Sequence, residues 1–271
     1  KSKRNPRPMS KFYTKKATKD YNIPVTEKLF MRYDFVSEIK DQIYKSDLRS
    51  NSGYKYSDLA FYMISDMIHF KSGKPIDEYT QEKFYDKLGL STAGYKPSLR
   101  HPITRIIPTE EDRYFRRQKV HGYVHDMGAA MIGGVAGHAG LFSSSTDLAA
   151  MMQMLLNGGT YMGQQFLKPK TIQKFTNRYY KSTRRGLGFD MKELDGDKKM
   201  NIAEEASYQA FGHLGFTGIS IYADPKFDLI YIFISNRTFP SMDNNKFSRN
   251  NYRPRVQSVF YKAMIDRHHN G

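Results

Sequence analysis

The chain has 271 residues, no cysteine and a net charge of +16. That length carries one large domain or at most two small ones, and the absence of thiols excludes a disulfide framework, a thiolate metal site and a cysteine nucleophile. A composition of 39% hydrophobic and 26% charged residues excludes a disordered chain, and no apolar run approaches the roughly 20 residues of a membrane span.

The first residues, Lys-Ser-Lys-Arg-Asn-Pro-Arg-Pro, are basic but lack the apolar stretch of a signal peptide. Residues 1 to 28 are polar and predict a loop or extended arm. Residues 29 to 46 carry helical spacing through Phe30, Phe35, Val36, Ile39 and Ile43. An amphipathic helix is predicted over 57–70, with Leu59, Met63, Ile64, Met67 and Ile68 on one side and Ser72-Gly73 as its stop. Another runs from Asp77 to Leu88 and stops at Gly89. Residues 103 to 145 are irregular and glycine-rich. Ser145 or Thr146 is the predicted cap of a helix from Asp147 to Leu156, which Asn157-Gly158-Gly159 ends. Pro169 opens a short helix through Phe175. Residues 181 to 205 read as a charged loop.

After it the character switches to β. Gly218 to Tyr222 and Leu229 to Ser235 form an antiparallel hairpin around Asp224–Asp228. The second run is apolar enough to be covered on both faces. A helix from Tyr252 to Arg267 closes the chain. The expected fold class is α+β, in a single domain over residues 1–271.

The charge attracts anionic surfaces such as nucleic acid, acidic polysaccharide or phosphorylated envelope polymers. The basic residues are nevertheless scattered, with clusters at Lys1–Lys16, Arg113–Lys119 and Lys181–Arg185. No zinc finger or RNP-type strand accompanies them, so a solvated basic surface without specific nucleic-acid binding is expected.

Four motifs follow one another. Tyr56-Ser57-Asp58 opens the long amphipathic helix. His121-Gly-Tyr-Val-His125-Asp126 precedes Gly137-His138-Ala-Gly-Leu-Phe-Ser-Ser144, which leads into a helix. His213-Leu-Gly215-Phe216-Thr-Gly218 leads into a strand, and a glycine two residues after a polar side chain lets a substrate lie close to a strand edge. His121, His125, Asp126 and His138 carry zinc-ligand chemistry, and His-x-x-x-His suits a helix face. Gly122 and Val124 argue against a helix there, so no metal and no cofactor is expected. Glu110 and Glu111 predict a solvated turn rather than a catalytic pair. Neither a phosphate loop nor a Gly-x-Ser-x-Gly elbow occurs.

As a set, these motifs resemble the esterase-like, class C branch of the serine β-lactamase and penicillin-binding protein superfamily. The resemblance runs from about Tyr54 to Ala263. It looks closest to the domains fused behind family 3 glycoside hydrolases and to penicillin-binding proteins of the D-Ala-D-Ala carboxypeptidase type, and it implies a β-lactamase/transpeptidase-like fold in the bacterial envelope or periplasm. The implied chemistry is acyl transfer from a peptidoglycan-derived amide or ester, or from a small molecule. A Ser-x-x-Lys helix would supply the nucleophile, with the Lys one turn from the Ser.

Carried over by position, Tyr56 is the proton-transfer phenol and Asp58 holds an Asn-type position. His213 stands where the strand Lys would be, with Gly215 after it, and the N–H of Phe216 is the strand-side oxyanion donor. An ionised Asp in place of Asn accepts but does not donate. The histidine favours an esterase-like or peptidase-like substrate over a β-lactam.

The sequence offers two Ser-x-x-Lys pairs, Ser37/Lys40 and Ser52/Lys55. Ser37 falls on the polar side of its helix and Ser52 in an Asn-Ser-Gly turn, so the nucleophile is expected before Lys1, in a segment that would also complete the sheet. An incomplete sheet would expose an edge able to pair with another copy, and a glycoside hydrolase domain could precede the chain. The alternative function is a non-catalytic envelope-binding module on the same scaffold.

Overall fold

The computed structural model describes residues 8–51, 53–181 and 183–269. They form two compact units, the described residues up to 143 with 238–242 and those of 144–237 with 243–269.

In the first unit, β1 (Tyr13–Thr14), β2 (Ile23–Thr26) and β3 (Leu29–Met31) make a small sheet in the order β1-β3-β2. The helix expected from residue 29 therefore begins later, as α1 (Phe35–Tyr44). Leu29 and Met31 point to one side of a strand, where they are buried with Val25 against Val124, Ala129 and Ala130. That period-2 burial overrides the helical spacing. α2 (Leu59–Ser72) ends at Gly73, whose φ of 71° supplies the left-handed cap. Its apolar side chains Met63, Met67 and Phe70 are exposed, so the predicted stripe is present but faces outward among the described residues. α3 (Ile76–Thr80) continues into a π-helical turn over Gln81–Tyr85.

The stretch read as irregular contains an antiparallel hairpin, β4 (Pro108–Asp112) with β5 (Gln118–His121), and then α4 (Met127–Met131). Glu110 and Asp112 are buried in this hairpin rather than solvated in a turn. Asp112 accepts from the Arg116 side chain at 2.7 Å and from three backbone N–H groups, and Arg116 donates onward to the carbonyls of Val124 and His125. Burial works against the Asp112 charge, but these bonds outweigh it and hold the carboxyl below its usual range.

In the second unit, α5 (Ser145–Leu156) starts two residues earlier than expected, because the cap is Ser144, whose hydroxyl accepts from the Asp147 N–H. The short β6 (Thr160–Tyr161) and β7 (Gln164–Gln165) and then α6 (Pro169–Thr176) follow. The main sheet is antiparallel with the order β11-β10-β9-β8, from β8 (Asp190–Met191), β9 (Phe211–Leu214), β10 (Ser220–Asp224) and β11 (Leu229–Phe233). The predicted hairpin is β10/β11. Along β11 only Tyr231 is fully buried, so the strand is less enclosed than its composition suggested. The short α7 (Lys246–Arg249) precedes α8 (Tyr252–His269), whose Tyr261 and Gln257 are buried. No helix among the described residues is long and apolar enough to cross a membrane.

Candidate functional site

The motif residues divide between the two units. In the first unit Tyr56, Ser57 and Asp58 lead into α2. Asp58 occupies the cap position, yet its carboxylate caps nothing, and the Ser57 hydroxyl accepts the Leu59 N–H instead. The Tyr56 ring is exposed.

Asp58, Tyr62 and Ser65 succeed one another up one face of α2. Two glycines let other segments press on that face. A Cβ on Gly137 would lie 2.5 Å from the Phe61 carbonyl oxygen and 3.0 Å from Ser65 Oγ, and one on Gly128 would lie 2.1 Å from the Tyr62 hydroxyl. The first approach lays the His138 ring against Tyr62, with centroids 4.4 Å apart. The second brings up the start of α4, where Asp126 Oδ1 accepts from the Ala129 N–H at 2.7 Å and lies 3.1 Å from His138 Nε2.

One ligand-type atom each from Asp58, Asp126 and His138 therefore falls within 4.8 Å of the others. Burial pushes the Tyr62 phenol up to about 12, with the charges of Asp126 and Asp58 adding to the shift. For Asp126 the cost of burial is outweighed by the bonds from His138 and Ala129, which hold its carboxyl below the usual range.

His121 and His125 do not join this cluster. His121 is the last residue of β5, with Nε2 2.5 Å from the Ile106 carbonyl, and His125 Nε2 lies 3.3 Å from Glu110. The segment between them is a bend, so the His-x-x-x-His helix face does not form.

In the second unit His213 lies within β9, a strand that the hairpin reading stopped short of. Its Nδ1 is 2.9 Å from the Leu214 carbonyl oxygen and its Nε2 is 3.0 Å from Arg185 Nη1. β8 pairs with β9 at Phe211 and Gly212 only, so that ladder stops just before His213. Gly215 donates to the Ile219 carbonyl at 2.9 Å, and its own carbonyl accepts from Arg253. Phe216 sits in the turn beyond β9 rather than on the strand. Its carbonyl accepts from Arg237 at 2.6 Å, and the same guanidinium lies 4.1 Å from its ring centre.

Arg184 and Arg185 belong to the basic cluster expected to be solvated, and Asp190 to the stretch expected to be a charged loop. The structure buries Asp190 and brings Arg184 onto it with two hydrogen bonds, at 2.6 and 3.3 Å, with Arg185 Nε 3.4 Å away. Asn201 and Tyr222 add further bonds to the same carboxylate. Burial, then the charge of Asp190, raises the Tyr222 phenol. The available signal was two arginines five and six residues before an aspartate, which does not distinguish a buried triad from a charged loop.

The Ser37/Lys40 pair has no supporting geometry. Ser37 is exposed and donates to the Asp34 carbonyl at 2.6 Å, while Lys40 is paired with Asp66. Ser52 lies outside the described residues.

The Beta-lactamase family model matches residues 14–250. A protein of Escherichia coli K12 named "Putative D-alanyl-D-alanine carboxypeptidase" is 32% identical over 213 residues, covering 73% of this chain and 48% of its own length. A Salmonella newport protein of the same name is 31% identical over 245 residues, covering 84% of this chain and 56% of its own. The chain thus spans about half the length of the curated relatives it matches. Among solved structures, simvastatin synthase from Aspergillus terreus aligns with a TM-score of 0.54 at 15% identity, over 85% of this chain and 62% of that one. A beta-lactamase from Mycobacterium bovis aligns with a TM-score of 0.51 at 18% identity, over 78% and 63%. These likenesses agree with an α+β, β-lactamase-like fold. With its mixed helices and antiparallel sheets, this chain belongs to the Beta-lactamase family.

Proposed function

We propose that the protein is a serine hydrolase that cleaves an amide or ester through an acyl-enzyme, as a carboxypeptidase or esterase acting on peptidoglycan-derived substrates in the bacterial envelope. The observation that carries this reading is the family membership, joined to the placement of Tyr56-x-Asp58 at the start of α2 and of His213-x-Gly215 where the β8 ladder ends. The carboxypeptidase names of the two relatives support the substrate class.

In this reading the Tyr56 phenol exchanges a proton with the nucleophile and the leaving group. His213, held by Arg185, lines the substrate side of β9. The Phe216 N–H, together with the nucleophile's own N–H, stabilises the oxyanion. Ser37 is excluded as nucleophile by its bond to Asp34 and by the pairing of Lys40 with Asp66. With Ser52 in an Asn-Ser-Gly turn by sequence, this reading assigns the serine to neither pair.

The test is acylation by a fluorescent penicillin and by a fluorophosphonate probe. The full-length protein should label and the 271-residue chain should not. Labelling should survive Ser37→Ala and Ser52→Ala, and Tyr56→Phe should slow it by about 10²- to 10⁴-fold. Labelling that vanishes with Ser37→Ala or Ser52→Ala would overturn the assignment of the nucleophile. A full-length protein that never labels would overturn the hydrolase reading in favour of a binding module.

A further inference from the structure

Asp58, Asp126 and His138 come from three separate segments, and the glycines at 128 and 137 are what let those segments meet. Each of the three is incompletely committed. The Asp58 carboxylate caps no N–H of α2. Both hydrogen bonds to Asp126 fall on Oδ1. The His138 side chain is 4% exposed, its hydrogen bond goes to Asp126, and its other nitrogen is buried without a partner among the described residues. Two carboxylates this close repel in a partly buried setting unless a positive charge sits between them.

We propose that Asp58, Asp126 and His138 form a binding site for a divalent transition metal, with zinc or manganese as the fitting ions. The donor set is one imidazole nitrogen and two carboxylates, which suits those ions over a purely oxygen-seeking cation. Metal–nitrogen and metal–oxygen bonds to zinc are about 2.0–2.2 Å. Two such donors on one ion stand about 3 to 3.5 Å apart at ordinary coordination angles. The 3.1 Å between Asp126 Oδ1 and His138 Nε2, spanned by a hydrogen bond in the absence of metal, meets that separation once the metal displaces the shared proton to solvent, and the exposed Asp58 closes the remaining gap by a change of rotamer.

Three protein donors leave at least one position for water or a ligand. Tyr62 stacks on the His138 ring and holds its orientation. The sequence had grouped Asp126 and His138 with His121 and His125. The fold keeps the first two and puts Asp58 in place of the others. The site stands independently of the hydrolase reading, since binding is measured without turnover.

The test is calorimetric titration of the full-length protein, stripped with a chelator, with zinc chloride and with manganese chloride. One site per chain is expected, weakened at least tenfold both by Asp126→Asn and by Asp58→Asn. Asp58 is exposed, so Asp58→Asn should keep the fold, and an unchanged circular dichroism melting curve checks this. Absence of binding by either metal overturns the proposal, as does binding of unchanged strength in both variants. Weakening by Asp126→Asn alone, with Asp58→Asn at wild-type affinity, also overturns the three-residue site.

Discussion

Arg185 Nη1 lies 3.0 Å from His213 Nε2, so the histidine of the strand-edge motif shares that nitrogen with a guanidinium. A guanidinium only donates, and the Leu214 carbonyl 2.9 Å from Nδ1 only accepts. The neutral ring is therefore held as the Nδ1–H tautomer, with Nε2 accepting from Arg185. Two-bond ¹⁵N–¹H spectra should show a protonated Nδ1 and a bare Nε2 in the neutral ring, and Arg185→Gln should bring in the second tautomer. A protonated Nε2 in the wild-type neutral ring would contradict this arrangement.

Arg185 is held in turn by Asp190, which is buried and shared with Arg184. Removing one partner of a buried ion pair leaves the other charge uncompensated. Arg184 is about a quarter exposed, which discounts the cost to the lower end, about 3 kcal/mol. Asp190→Ala should lower the urea midpoint accordingly, and Asp190→Asn, which keeps one acceptor oxygen and the side-chain volume, should cost less.

Gly137 sits against α2 with no room for a side chain, since a Cβ would lie 2.5 Å from the Phe61 carbonyl oxygen. A backbone atom cannot swing aside as a side chain can. Gly137→Ala should therefore destabilise the protein by about 1–3 kcal/mol and displace His138 from Tyr62. Thermal melting measures the first effect, and the chemical shifts of the His138 ring measure the second. A neutral melting curve with unmoved shifts would show that the contact relaxes at no cost.

Asp112 has its carboxyl held below the usual range in the folded state. A depressed folded value means a stabilising contribution that is fully present above the unfolded value near pH 4 and lost as pH falls through the lower folded value. Acid unfolding should thus steepen below about pH 4. Asp112→Asn should be less stable at neutral pH and should lose part of that acid dependence, read from urea midpoints at several pH values.

Several elements were legible because their signals are local. α2 follows from apolar spacing and a glycine stop, and α6 from the proline at its first position. The β10/β11 hairpin follows from two β-branched and aromatic runs around Asp224–Asp228. β3 was masked because Leu29 and Met31 also fit the helical spacing that leads into α1. β4 was masked because Glu110, Glu111 and Asp112 look solvated until Arg116 is seen to satisfy Asp112 from inside. In the candidate sites, Tyr56, Asp58 and His213 were legible as residues, whereas Arg185 was not, because nothing local distinguishes an arginine held on a buried carboxylate from a solvated one.

By itself the sequence determined the order of the motifs and the approximate bounds of α2, α5, α6, α8 and the β10/β11 hairpin, because caps, stops and periodicity act within a turn or two of the chain. Only the tertiary structure decided which charges are buried and which side chains meet. Asp190 takes up Arg184 and Arg185, and Asp58 comes to Asp126 and His138, through backbone approaches that Gly128 and Gly137 permit. Those encounters depend on the close packing of distant segments, and no local propensity encodes them.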